Sequence, residues 1–288
     1  MREIERAYIL LFIGTIAMST ASLIIRAIQA PPLIIATNRL IISSLILLIL
    51  YRKRIKIDKN IIPFLIISGI SLGIHFYTWI SSVFLTSIAN AVVLVNTNPL
   101  FIVLFNIFID RKKPPIYYFF SLSFVMLGIF LITSKSLNIN LGIGEILALI
   151  AGFAMAIYLY IGQKLSHKIS LVSYITFVYS FSALLLFIIS IFSPFSLFNY
   201  SLKTYFYFLL LALIPQLIGH SSANYALRIL PASSVALVIL GENVFATLFA
   251  YIFLKEIISL KQAIGMLIIT FAIMYNSMKE RKENLVNY

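Results

Sequence analysis

The chain has 288 residues, of which 61% are hydrophobic and only 11% charged, and it carries a formal net charge of +13. Soluble globular domains have about 45–50% apolar and about 25% charged residues, so that class is excluded; 14% aromatic residues and 11 glycines fit neither a disordered nor a fibrous chain. No Asp, Glu, Lys or Arg occurs for 50 residues after Lys59, or for 34 residues after Lys168. Each run holds about two bilayer spans at roughly 20 residues per span, so the chain reads as a polytopic membrane protein.

Charge clusters and Pro, Gly, Ser and Asn breaks divide the chain into ten predicted spans. They lie near 7–25, 33–51, 61–81, 87–109, 116–134, 142–163, 171–192, 204–227, 230–254 and 260–278. Barrel strands are excluded, because they need alternating polarity over about 10 residues and these segments are apolar on most faces. The first span is too long and has too many successors to be a cleaved signal peptide. An even count places both termini on one side. If that side is cytoplasmic it holds sixteen Lys and Arg residues against five outside, with Arg39 left inside span 2. Cytoplasmic loops carry the basic excess, so both termini are expected in the cytoplasm and the protein in the cytoplasmic membrane. The same rule accounts for most of the positive charge, and no nucleic-acid partner is expected. With no cysteine, disulfides and thiolate metal sites are excluded.

Residues 74–132 align on 219–277 at a shift of 145, bringing His75 onto His220, Ala91 onto Ala236 and Asn98 onto Asn243. Spans 1 and 6 align at a shift of 137. The chain therefore divides into five-span halves, 1–137 and 138–288. Five is odd, so the second half runs upside down relative to the first. Inverted repeats are the usual build of secondary transporters, with the substrate near the midplane between the halves.

The residues also resemble a known family. His75-Phe-Tyr-Thr-Trp79, Leu85-Thr-Ser87 and Asn96-Thr-Asn-Pro99, with their counterparts Gly219-His220, Pro231-Ala232, Gly241-Glu242-Asn243 and Leu254-Lys255-Glu256, are similar to the EamA-type permeases of the drug/metabolite transporter superfamily. Two departures stand out: Asn243 replaces a frequent proline, and the acidic residue after span 4 is displaced to Asp110, followed by Arg111. The resemblance implies ten helices, two inverted EamA repeats and transport of small metabolites. It implies no particular substrate.

Polar side chains at membrane depth need a reason, since an ionised one costs about 2.5–3.5 kcal/mol at the bilayer centre. Glu242, in the middle of span 9, is read either as a proton or cation coupling site or as a carboxyl that ties helices together. Gln216, His220 and Asn224 recur every four residues on span 8, just after Pro215, and form one stripe. Span 3 repeats the design with Ser71, His75 and Trp79. The inverted alignment places His75 toward the outer leaflet and His220 toward the inner, where they can serve opposite gates. Asn90, Thr97 and Asn98 share a sector of span 4, and Asn98 and Asn243 occupy equivalent positions. Arg39 either snorkels or binds a substrate carboxylate. Glu145, at the start of span 6, is expected at the interface. The candidate substrate residues are thus Arg39, His75, Trp79, Asn98, Gln216, His220, Asn224 and Asn243, with Glu242 as the coupling residue. Hydrogen bonding between packed helices is the alternative for each.

Spans 5 and 10 carry little polarity and should be peripheral, facing lipid or a second copy of the chain in a homodimer. The leading reading is a secondary transporter working by alternating access on an amino-acid-like substrate. A lipid or lipid-carrier flippase is the alternative, and it requires a polar groove open to the bilayer. A membrane-embedded enzyme is the remote one, because no H-E-x-x-H, paired-Asp or nucleotide-loop pattern occurs; no cofactor or metal is expected.

Overall fold

A computed structural model describes residues 2–133 and 142–286. The expected boundary between the halves at 137, and Lys135, lie outside these residues. Among the described residues all regular structure is helical, and ten helices are long and apolar enough to cross a membrane. They are span 1 (Glu3–Ala27), span 2 (Pro32–Arg54), span 3 (Lys59–Leu85), span 4 (Asn90–Phe108) and span 5 (Ile116–Thr133). The second half supplies span 6 (Ile143–Leu165), span 7 (Leu171–Ile191), span 8 (Leu202–Ala226), span 9 (Ala232–Phe253) and span 10 (Leu260–Lys282).

Local sequence sets where the helices start and where they break. Pro31-Pro32 opens span 2, with proline in the first helical turn where its missing N–H costs nothing. Ser170 and Ser201 cap spans 7 and 8, each hydroxyl accepting from the amide three residues on. Span 4 is discontinuous: one helix ends at Val95 and the next begins at Asn98, followed by Pro99. Span 9 breaks at the matching place, between Ile239 and Glu242, around Gly241. The two spans also end alike, each with a residue in the left-handed region, Arg111 at φ 55° and Lys255 at φ 55°. In span 8, Pro215 removes a backbone donor and the helix widens to a π-type path over Ala212–His220.

Most packing joins one half to the other, and each contact has its exchange partner. Span 3 lies on span 6 as span 8 lies on span 1; span 4 meets span 6 as span 9 meets span 1; span 3 meets span 7 as span 8 meets span 2. Spans 2 and 7, 4 and 9, and 5 and 10 pair with their own counterparts. This is the arrangement that two inverted repeats about a pseudo-two-fold axis require. Helices can approach this closely because small residues lie at the crossings. A Cβ on Gly128 of span 5 would stand 2.7 Å from the Gly265 carbonyl oxygen, and one on Gly265 2.6 Å from that of Gly128.

Spans 5 and 10 form a pair at the edge, as their composition predicts. Their inner sides pack on Leu237, Leu240 and Val244 of span 9. Phe120, Phe124, Phe130, Leu267, Phe271 and Met274 are exposed on the outer sides, an apolar surface suited to lipid.

Candidate functional site

Spans 1–4, 6, 8 and 9 enclose a central cavity between the two halves, with about 40 Å³ of free space. Arg39, His75, Trp79, Asn98, His220 and Glu242 converge on it, joined by Phe76, Asn96 and Met155. Span 7 supplies no lining residue. It stands behind, packed on spans 2 and 3.

Arg39 is 1% exposed, so it does not snorkel. Its Nε donates to Gln216 Oε1 at 2.8 Å, and its guanidinium carbon sits 4.0 Å from the centre of the Phe76 ring. Arg39 Nη1 has no hydrogen-bond partner among the described residues. Glu242, the first residue of the second piece of span 9, lines the same cavity. Arg39 and Glu242 nevertheless form no ion pair within 4.0 Å; the three pairs among the described residues lie elsewhere.

The two histidines meet. Their rings are 6.4 Å apart, and the His75 ring stacks parallel to Trp79 at 6.3 Å, an i to i+4 pair on one helix face. Both rings line the central cavity that the inverted alignment has them flank. Residues near the middle of two exchange-related helices are brought together by the pseudo-axis, whichever leaflet their order along the chain suggests. His75 Nδ1 bonds the Ala151 carbonyl at 3.0 Å, whereas His220 Nδ1 is buried without a partner among the described residues.

The asparagines show the repeat at atomic detail. Asn98 Nδ2 donates to the carbonyl three residues back, Val95, at 3.1 Å, and Asn243 Nδ2 does the same to Leu240 at 2.7 Å. The Val95 carbonyl would otherwise face Pro99, which has no N–H, and the Leu240 carbonyl also accepts from the Asn243 backbone amide at 3.3 Å. Asn243 faces a second cavity of about 230 Å³, with Arg26, Thr247, Glu256 and Gln262, on the membrane face opposite the termini. Asn96 donates to Asn243 Oδ1 at 3.2 Å. Asn96 was not selected from sequence, although it belongs to the quoted motif; its position at the break of span 4 was the available signal. Phe76 carried no signal, since a ring-to-guanidinium contact between residues 39 and 76 depends on how spans 2 and 3 pack.

The remaining candidates are buried away from the central lining. Gln216 reaches the site only through Arg39. Asn224 donates to the Tyr158 hydroxyl and the His220 carbonyl. Ser71 returns its hydroxyl to a carbonyl of its own helix. Glu145 is a buried cap at the start of span 6, accepting from Thr86, Asn90 and the Gly142 amide.

A third cavity, of about 600 Å³, opens on the face that carries the termini, beside Lys112, Lys113, Ser234 and the Asp110–Lys164 pair. Asp110 accepts from Lys164 Nζ at 2.6 Å and from the Tyr160 hydroxyl at 2.8 Å. Desolvation pushes its carboxyl up, but these two donors outweigh it and hold Asp110 below the usual carboxylate value. The displaced acid is thus paired with span 6, not with its neighbour Arg111.

The model of the EamA-like transporter family matches residues 5–134 and again 142–278, the two halves in turn. The chain belongs to the EamA-like transporter family. It is a multi-pass membrane transporter of the drug/metabolite type, and the family's members are transporters rather than enzymes. No curated protein matches it in sequence. A solved structure described only as "Crystal structure of protein" superposes with a TM-score of 0.82 at 15% identity, over 96% of this chain and 98% of that one, and shows the shared fold.

Proposed function

We propose that this transporter moves a small zwitterionic, amino-acid-like metabolite across the cytoplasmic membrane by alternating access, with both termini in the cytoplasm. One observation carries the reading. A guanidinium with a free Nη1 and a carboxyl from the opposite half line one buried cavity without pairing. Unpaired charges are costly at membrane depth, and a ligand with a carboxylate for Arg39 and an ammonium for Glu242 satisfies both. Asn98 Oδ1, buried and unpartnered, adds an acceptor, and His75 with Trp79 supplies a flat wall. About 40 Å³ holds a few waters and no metabolite, so loading requires the halves to part. The carboxyl of Glu242 is also the group that can carry a coupling proton.

The same burial favours a closed site over a lateral groove. Ser71, His75, Asn98, Gln216, His220 and Asn243 all point inward, and no polar stripe of spans 3, 4, 8 or 9 faces lipid. The test is a metabolite panel screened for thermal stabilisation of the purified protein against Glu242→Gln. Stabilisation by amino acids that is lost in the variant supports the reading. Stabilisation by lipid carriers alone overturns it.

A further inference from the structure

The central cavity is closed very differently toward the two faces. Toward the face with the termini, span 6 runs from Met155 at the centre to Gln163 at the vestibule, span 4 from Asn98 to Asn106, and span 9 from Ile239 back to Ser234. That is roughly 8–12 Å of helix at 1.5 Å per residue. It is filled by the apolar core, with Ile102, Leu159, Val235 and Ala236 fully buried. Toward the opposite face, neighbouring residues already belong to different cavities: Glu242 lines the centre and Asn243 the outer vestibule. Asn96, which lines the centre, is hydrogen-bonded to Asn243 across that boundary.

The repeat explains why only one face has such a bond. Exchange of the halves at the shift of 145 carries Asn243 onto Asn98 and Asn96 onto Gly241. Asn98 and Asn243 keep the same bond to their own helices. Asn243 Oδ1 then accepts from Asn96, whereas Asn98 Oδ1 is buried without a partner among the described residues, because the related position has no side chain.

We infer that Asn96 is a gating residue: its amide latches span 4 of the first half to span 9 of the second, closing the central cavity toward the face opposite the termini, while Gly241 leaves the other face without the equivalent bond at the lining. The inference rests on the transport reading. It makes the two closures unequal at the cavity itself: the Asn96–Asn243 bond joins the halves at the lining on one face, whereas toward the other face apolar side chains border the cavity and the halves are bonded only farther out, by Asp110 to Lys164 and Tyr160.

The native chain has no cysteine, so single reporters can be placed directly. Ala21→Cys lies in the central cavity and Thr247→Cys in the vestibule opposite the termini. The full chain is reconstituted in sealed vesicles of known orientation and treated with a membrane-impermeant maleimide; Thr247→Cys identifies the face. Asn96→Gly and Asn96→Ala should label Ala21→Cys faster from that face by roughly two- to tenfold, the factor one net hydrogen bond carries, with no change from the other face. Gly241→Asn should slow labelling from the face of the termini, and Gly241→Ala should not. The added Cβ meets the Val238 carbonyl oxygen at 3.0 Å, the tip of Ile273 at 3.2 Å and Thr15 Cγ2 at 3.6 Å in both variants, so Gly241→Ala controls for this crowding. Unchanged rates in both Asn96 variants, or equal acceleration from both faces, would overturn the latch and leave transport standing. A reporter reached from neither face in any variant would overturn both.

Discussion

Replacing Arg39 with methionine separates a ligand-binding arginine from a structural one. The change removes one charge-assisted bond to Gln216, worth about 1.5–3 kcal/mol, and a desolvated cation–π contact with Phe76, worth about 0.5–2 kcal/mol. It also relieves the burial of an ionised group, about 2.5–3.5 kcal/mol on insertion scales. The terms nearly cancel, leaving a net loss of at most about 2.5 kcal/mol. Adding Gln216→Leu removes the amide left unpartnered and should recover part of that loss. In a protein of this size 1 kcal/mol moves the midpoint by about 2–4 °C, so the single variant should unfold no more than roughly 10 °C below the native chain. Ligand stabilisation behaves oppositely. At about 100 times its dissociation constant a ligand adds roughly 2.7 kcal/mol to the native chain, and the variant should lose nearly all of it. Thermal melts in detergent, with and without the best amino acid from the panel, read both quantities. A variant that still binds, or that loses more than about 4 kcal/mol of stability, would refute the reasoning and make Arg39 a strut between spans 2 and 8.

Other outcomes follow from local geometry. Gly128→Leu and Gly265→Leu should each cost about 1–3 kcal/mol or more, because even a Cβ there meets a backbone oxygen at 2.6–2.7 Å. Gly73→Ala, whose Cβ would meet Leu185 at an ordinary 3.5 Å, should be nearly neutral in the same melts. Asn224→Leu should lower stability by about 1–3 kcal/mol through the bond lost at Tyr158, while ligand stabilisation persists; loss of binding at full stability would place Asn224 in the site. Asp110 is held below its ordinary value, so its contribution is present above the unfolded-state value of about 3.9 and is lost as pH falls through the lower folded value. Asp110→Asn should therefore cost at most about 1 kcal/mol at neutral pH and progressively less as pH falls below about 3.9, as read by melts at neutral pH and well below that value. A variant that is equally destabilised at both pH values would contradict the pairing.

Apolar length, loop charge and internal similarity are properties of the chain as a string, because a bilayer imposes the same length on every span and an odd five-span repeat must invert. The ten spans, the two halves, the peripheral place of spans 5 and 10 and the depth of Arg39 and Glu242 were legible on those grounds. The polarity of single residues was legible too, but their partners were not. Gln216, His220 and Asn224 share a stripe, yet the widened turn at Pro215 and the neighbouring helices send one to Arg39, one to the cavity and one to Tyr158. Asn98 and Asn243 look equivalent in sequence and make the same local bond, but residues 96 and 241 give them different surroundings. The meeting of the histidines, the stacking of Arg39 on Phe76 and the unequal barriers were decided only by tertiary structure, because each depends on contacts between helices that have no fixed spacing along the chain.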